Sequence, residues 1–319
     1  MTTRRASVRV PASTSNLGAG FDCVGLAVDR WLTATATLRP GPAAVTIHRA
    51  GTLAALTVPF ADDLLTRGFR AAGDAAGASW IGDLTMDADS EIPIGCGLGS
   101  SAAALVAGAL LADATLGLGL SRERIVEIAT TVEGHPDNVA PAVHGGAVLS
   151  IRTEHGVRTT QLPVAADLVF LIAVPPFPSD TKAARAALPA TVPFQDAVLA
   201  ASRAAALVEG LATGDGELLA AGLDDVLHVP YRRAAIPGYD AVTAAARAAG
   251  AYGATLSGAG SSVLAIAPSA AADGVGRALL AAWHAAGVTA ELLRFPRPAG
   301  GAAVGHAPRT THPAPLETT

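Results

Sequence analysis

A chain of 319 residues with a formal net charge of −5 is long enough for two domains, and its acidic balance argues against a broad electrostatic footprint on nucleic acid. Half of the residues are hydrophobic but only 4% are aromatic, so the core has to be built from Ala, Val, Leu and Ile.

Residues 6–10 alternate and predict a first strand, which enters a Pro-Ala-Ser-Thr-Ser-Asn loop at 11–16. Segments 29–40 and 43–50 show the β-branched alternation of two more strands, with a turn at the Pro-Gly-Pro between them. An amphipathic helix is predicted over 62–77, with Leu64, Leu65, Phe69 and Ala72 on one face. A strand and its exit occupy 83–95, followed by a helix from Ser101 to Leu116. A further helix, from Arg122 to Val132, has Ser121 as its N-cap and a buried stripe of Ile125, Ile128, Ala129 and Val132. Strands are predicted at 145–153 and 168–175, and helices at 181–188, 194–211, 216–225 and 238–250. A hairpin-like segment at 252–268, a helix at 270–286 and a strand at 288–295 complete the pattern. Strand–helix–helix–strand order in this half predicts a ferredoxin-like sheet. The expected domains are 1–158 and 159–296, with a tail at 297–319 that is rich in Pro, Ala and Gly, lacks periodicity and is expected to be disordered.

Two cysteines, Cys23 and Cys96, lack metal-ligand spacing and read as reduced thiols of a cytoplasmic protein. The basic segment ahead of Pro11 has no apolar run and does not read as a secretory leader. Leu98 to Leu120 holds one charge, Asp113, and is long enough for a bilayer span, which takes about 20 residues. Gly117 and Gly119 interrupt it and no aromatic belt flanks it, so a buried helix is the expectation.

That helix opens on Gly95-Cys96-Gly97-Leu98-Gly99-Ser100-Ser101. The segment has neither the Gly-Lys-Ser/Thr ending of a P-loop nor the G-x-G-x-x-G of a dinucleotide fold. It does hold the parts of an anion cradle: glycines for close approach, hydroxyls, and a helix N-terminus. Lacking a lysine there, a nucleotide site would need Mg²⁺, held by hydroxyl or carboxylate oxygens. Four other segments concentrate polar groups in apolar surroundings: 10–29 with Asn16 and Asp22, 133–146 with His135, Asp137 and Asn138, 179–189 with Thr181, Lys182 and Arg185, and the second glycine loop at 256–263.

Together these segments resemble the GHMP kinase superfamily, and within it the homoserine kinases more than the mevalonate or galactose kinases. Pro93-x-x-x-Gly97-Leu98-Gly99-Ser100-Ser101-Ala102-Ala103 is similar to the superfamily's ATP-phosphate loop, and the resemblance runs from about residue 8 to 268. It implies an α+β GHMP kinase fold, with an N-terminal ribosomal-S5-domain-2-like α/β domain and a C-terminal ferredoxin-like α+β domain. The implied reaction moves the γ-phosphoryl of ATP, with Mg²⁺, to the side-chain hydroxyl of L-homoserine for threonine synthesis. The implied enzyme is cytoplasmic and homodimeric, with no nucleic-acid or membrane partner.

Residue by residue, the resemblance places Pro93, Ile94, Gly95, Cys96, Gly97, Leu98, Gly99, Ser100, Ser101, Ala102 and Ala103 around the nucleotide. It assigns the metal to Ser101 and Glu127, with Glu133 as the fallback, although periodicity alone sets Glu127 opposite the apolar stripe. Asp22 would meet the substrate ammonium, and Arg185 and Arg232 its carboxylate. Asn16, His135 and Asn138 would surround its backbone and hydroxyl. No general base is implied, and direct attack by a hydroxyl oriented by Asn138, with Thr181 and Arg185 beside it, is the expectation. Near the adenine pocket the family often has Asn-Leu where this chain has Asp63-Leu64, and an ionised aspartate accepts hydrogen bonds without donating. Two alternatives stand beside this reading: a GHMP kinase for another small alcohol such as mevalonate, and a non-catalytic ATP-binding regulator.

Overall fold

The computed structural model describes residues 2–305. Apolar alternation builds a first, seven-stranded sheet. β1 (Arg4–Asn16) and β2 (Gly20–Arg39) form a long antiparallel hairpin, with Arg4 opposite Leu38 and Asn16 opposite Gly20. β3 (Val45–Gly51) and β4 (Asp83–Ser90) pair in parallel and are joined through α1 (Leu64–Ala75). The path across the sheet ends β2-β4-β3, because the second half of β2 pairs with β4.

α2 (Ser100–Leu116) is apolar on all sides for a structural reason: it is enclosed. β1 and β2 flank it, together with α1, α3 (Arg122–Glu133) and α4 (Val139–His144). Among the described residues no helix is long and apolar enough to cross a membrane. α1 and α2 cross in backbone contact. A Cβ on Gly108 would lie 1.9 Å from the Leu65 carbonyl oxygen, and one on Gly68 would lie 2.1 Å from that of Leu105. Only glycine permits this approach, which draws α2 tightly beneath the sheet.

β5 (Ala147–Thr153) pairs with the first half of β2 and forms a hairpin with β6 (Gly156–Leu162). The expected boundary at 158 therefore falls inside a strand, and the first sheet continues to Leu162. β6 escaped prediction because none of its residues is fully buried and its middle, Arg158 to Gln161, is polar. α4 carries Pro141 inside a short, buried helix.

The second sheet starts at β7 (Leu168–Val174), whose seven residues are all buried. α5 (Thr181–Ala186), α6 (Phe194–Thr213), α7 (Gly216–Leu223), α8 (Val229–Arg232) and α9 (Tyr239–Ala248) follow. β8 (Gly253–Leu256), β9 (Val263–Pro268), α10 (Ala272–Ala285) and β10 (Glu291–Phe295) complete it. The antiparallel order β10-β7-β9-β8 is the expected split βαβ sheet. Both faces are covered. Leu168, Phe170 and Ile172 join the core that includes α2, whereas Val169, Leu171 and Ala173 pack with α9 and α10. The two halves thus share the first of these cores through one face of β7, and the second core lies on its other face.

The expectation of disorder from residue 297 onward also fails for its described part. The chain returns to the first sheet, where Ala299 N donates to Ala27 O and Ala302 N donates to Ala142 O. β11 (Ala303–Gly305) then adds to the edge of β1, and Arg122 donates to the carbonyls of Val143 and Ala302. Backbone pairing of this kind needs no apolar periodicity, so composition could not reveal it. Residues 306–319 lie outside the described residues.

Gly108→Ala has to force α1 and α2 apart at a backbone contact. A loss of about 3 kcal/mol of stability is expected, as for other overpacked sites, read from the midpoint shift in urea unfolding. An unchanged midpoint would show that the crossing is slack.

Candidate active site

The glycine loop between β4 and α2 explains its own spacing. Gly95, Gly97 and Gly99 take left-handed φ values of 70°, 74° and 65°, and Cys96 and Leu98 between them do not. Such alternation turns successive N–H groups toward one side. The carbonyls on the other side are all engaged from behind. Gly95 O accepts from Ser179 N at 2.7 Å, Cys96 O from Ser262 Oγ at 2.6 Å, Gly97 O from Ser257 Oγ at 2.6 Å, and Leu98 O from Ser13 N at 3.1 Å. The second glycine loop is therefore a buttress for the first. Gly99 starts α2 without a side-chain cap, so the first-turn N–H groups of the helix are left for an anion. Cys96 is buried, with its Sγ near the carbonyls of Ile94 and Phe177, and burial raises its pKa, which leaves it an inert packing thiol.

Beside this helix end Ser101 Oγ donates to Glu133 Oε2 at 2.6 Å. Burial raises the Glu133 pKa, with the Ser101 hydrogen bond opposing it. A hydroxyl and a carboxylate meeting at an anion cradle form an oxygen donor set that suits Mg²⁺, with phosphate and water completing it. Glu127 corrects the expected assignment. It forms an i,i+3 ion pair with Arg124 at 2.8 Å and does not line the cavity. The stripe of Ile125, Ile128 and Ala129 turns it outward, as its periodicity foretold, and the last turn of α3 carries Glu133 to Ser101 instead.

The cradle opens onto a cavity of about 320 Å³. One end is apolar, lined by Leu32, Ile47, Leu53, Leu56, Val58 and Ile94. Asp63 lies there, with both carboxylate oxygens engaged. Oδ1 caps α1 by accepting from Thr66 N at 2.9 Å and Thr66 Oγ1 at 3.1 Å, and Oδ2 accepts from Arg49 at 2.7 Å. Asp63 therefore shapes the wall in a fixed orientation, while Arg49, absent from the sequence expectations, brings a cation to this end.

The other end is polar and collects Asn16, Asp22, His135, Asp137, Asn138, Thr181, Arg185 and Arg232. Asp22 and Arg185 form a two-pronged ion pair, with both N···O distances at 2.7 Å. Burial raises the Asp22 pKa, but Arg185, His135 and Arg232 outweigh it and leave the carboxyl below its usual range. Arg232 is only 4% exposed. Phe21 lies under both arginines, whose guanidinium carbons are 5.4 and 5.2 Å from its ring centroid. His135 Nδ1 sits 2.6 Å from Asp137 Oδ1; burial lowers the histidine pKa, and the aspartate more than reverses this.

Two asparagines tie the site together. Asn16 Oδ1 accepts from Asp22 N at 3.0 Å and its Nδ2 donates to Gly258 O at 2.8 Å. Asn138 Oδ1 accepts from Ser13 Oγ at 3.0 Å and its Nδ2 donates to Ser15 Oγ at 2.9 Å, leaving one amide N–H for a ligand. Thr181 opens α5 beneath the cap of Asp180. Of the expected site residues, Glu127 lies away from the cavity, Pro93, Cys96, Ala102 and Ala103 belong to the cradle segment without lining the cavity, and the others line it. Sequence reasoning passed over Arg49, Phe21 and His228; the i,i+4 spacing of His228 and Arg232 was the one available signal, muted because α8 is a single turn.

A phosphate cradle made without lysine, on a two-sheet α+β scaffold, is matched by a known family. Residues 63–146 match the model of the GHMP kinases N-terminal domain and residues 207–285 that of the GHMP kinases C-terminal domain, and the chain belongs to the GHMP kinase family. Its relatives include the homoserine kinase of Nostoc punctiforme, 38% identical over 286 residues, covering 90% of this chain and 93% of that protein. The homoserine kinase of Synechococcus sp. is 40% identical over 300 residues, covering 91% of this chain and 95% of its own. Among solved structures, homoserine kinase from Cytophaga hutchinsonii has a TM-score of 0.85 at 29% identity, covering 94% of this chain and 97% of that one. Mevalonate kinase of L. major in complex with R-mevalonate has a TM-score of 0.64 at 18% identity, a likeness of fold.

Kinase membership implies ATP, and the Ser101–Glu133 pair ranks the two glutamates. Glu133→Gln is expected to weaken Mg²⁺-dependent ATP binding by about tenfold, the loss of a charge-assisted ligand, and Glu127→Gln to leave it unchanged. Titration calorimetry with and without Mg²⁺ tests this, and the reverse ranking would restore Glu127.

Proposed function

We propose that this protein transfers the γ-phosphoryl group of ATP to the side-chain hydroxyl of L-homoserine, giving O-phospho-L-homoserine for threonine synthesis. The observation that carries the proposal is the polar end of the cavity: one carboxylate, Asp22, facing two guanidiniums, Arg185 and Arg232, next to the phosphate cradle. That set complements an amino acid. A zwitterion entering there exchanges the Asp22–Arg185 pair for two pairs of its own, its ammonium with Asp22 and its carboxylate with the arginines. Mevalonate has no ammonium for Asp22, which speaks against that alternative. The homoserine kinases among the relatives support the same choice.

Phosphoryl transfer depends chiefly on positioning and on neutralising charge. The N–H groups of the glycine loop and of the α2 N-terminus would hold the phosphates, and the apolar end would take the base. Ser101 and Glu133 would hold Mg²⁺, which when bound offsets the charge of the phosphate oxygens. Asn138, locked by Ser13 and Ser15, would direct its remaining amide N–H to the substrate hydroxyl, with Thr181 and His135 beside it. Asp137 is bonded to His135, and its role in this reading is to hold that ring. The hydroxyl oxygen would then attack the γ-phosphorus directly, ADP leaving as the bond to the β,γ-bridging oxygen breaks and the hydroxyl proton passing to the transferred phosphoryl group.

Cytoplasmic operation is the companion proposal, supported by two free cysteines. For a homodimer, the support is an exposed apolar stretch of α6, Phe194, Val198 and Leu199.

An ADP-release assay with ATP and Mg²⁺ is expected to respond to L-homoserine and not to mevalonate, galactose or D-homoserine. Equal turnover of mevalonate would overturn the assignment. Arg185→Ala is expected to raise the KM for homoserine about tenfold or more while moving the KM for ATP less than about twofold. An unchanged homoserine KM would remove Arg185 from the site.

A further inference from the structure

Arg232 is almost fully buried at the substrate end of the cavity, and something has to fix the direction of its guanidinium. Its Nε donates to Ala184 O at 3.2 Å, and its Nη1 lies 3.2 Å from His228 Nδ1. Arginine carries donors only, so Nδ1 of the histidine must be the bare, accepting nitrogen. The other ring nitrogen, Nε2, lies 3.1 Å from Gly18 O, which can only accept. Partners of fixed polarity on both sides leave one arrangement: a neutral imidazole with its proton on Nε2.

The surroundings hold that ring still. His228 is 0% exposed and stacks on Phe21, with centroids 4.8 Å apart and planes 18° from parallel. Asp225 Oδ2 accepts from the backbone N–H groups of Leu227, His228 and Val229 at 3.1, 2.7 and 2.8 Å, fixing the turn on which the ring is carried. The charged groups acting on it are Asp225 and Arg232 from its own segment and Asp22 from the start of β2. Burial, aided by Arg232, lowers its pKa against the pull of Asp225, the Gly18 carbonyl and Asp22, in keeping with a neutral ring. A protonated ring would set N–H against N–H at Arg232.

We propose that His228 is a positioning residue of the substrate site: as the neutral Nε2–H tautomer it accepts from Arg232 and aims that guanidinium at the carboxylate of the amino-acid substrate. Phe21 is shared by the three groups: its ring stacks on the histidine and has the two guanidinium carbons 5.4 and 5.2 Å from its centroid. This role rests on the homoserine kinase reading, but the tautomer does not.

Two measurements test it. ¹⁵N NMR of the histidine rings in the full-length protein at neutral pH, assigned with His228→Asn, should show Nε2 protonated and Nδ1 bare at position 228; a proton on Nδ1 overturns the proposal. Steady-state kinetics should show His228→Phe, which keeps the stack and loses the acceptor, raising the homoserine KM about tenfold, with kcat and the ATP KM within about threefold. His228→Asn, whose amide oxygen can stand where Nδ1 stands, should recover part of that loss. A role in stability alone predicts that both KM values and kcat move together and that Asn is no better than Phe, and either result overturns the proposal, as does an unchanged homoserine KM. If His228→Phe does not fold, the Asn variant and the tautomer still decide. Wild-type protein inert toward homoserine defeats the functional reading, and the tautomer then decides separately whether His228 holds Arg232.

Discussion

Everything at the active site depends on four backbone carbonyls. Those of residues 95–98 are held by hydrogen bonds from Ser179, Ser262, Ser257 and Ser13, three of which come from beyond the first sheet. A loop that must turn its N–H groups toward a polyanion has to place its carbonyls somewhere, and unpaired buried carbonyls are costly. The second half of the chain supplies three of the four donors. The nucleotide site is therefore a property of both halves docked together. Thr14 and Ser257, joined at 2.8 Å, and Asn16 and Gly258 reinforce the same seam.

The seam also explains how an acidic chain with a single lysine can gather positive charge inside one cavity. Net charge describes the whole surface, but the cavity sees only what its walls present. Cation is concentrated where the first hairpin meets α5 and α8, with Arg185 and Arg232 over one phenylalanine ring. Asp22 balances the first of them until a ligand arrives. Arginine is suited to such a place because its fork binds carboxylates in two prongs and stays charged when desolvated.

Motif order and helical periodicity made much of this visible in the sequence. The two-sheet architecture, the buried α2, the N-cap at Ser121 and the glycine cradle followed from residue spacing and family resemblance together. Glu127 shows where resemblance and physics diverged: its position around α3 already set it opposite the apolar stripe, and it is Glu133, at the helix end, that meets Ser101. Other features left no periodic trace. β6 is a polar edge hairpin, and residues 299–305 are held through main-chain atoms, which any side chains can accompany. The commitment of Asp63 to its own helix, or of a histidine ring to one arginine, depends on distances that spacing cannot supply.

β11 has a consequence for how the molecule is made. Ser7 lies opposite Gly305 and Arg9 opposite Ala303, so the first described strand of the fold is completed by the last, which is synthesised much later. Until residue 305 has been synthesised, the outer edge of β1 offers unpaired main-chain groups to any passing strand. The first sheet can form during translation, but it is sealed only afterwards, when the chain has passed through the second sheet and come back. Nascent chains stalled short of that point would carry a nearly finished fold with one adhesive side.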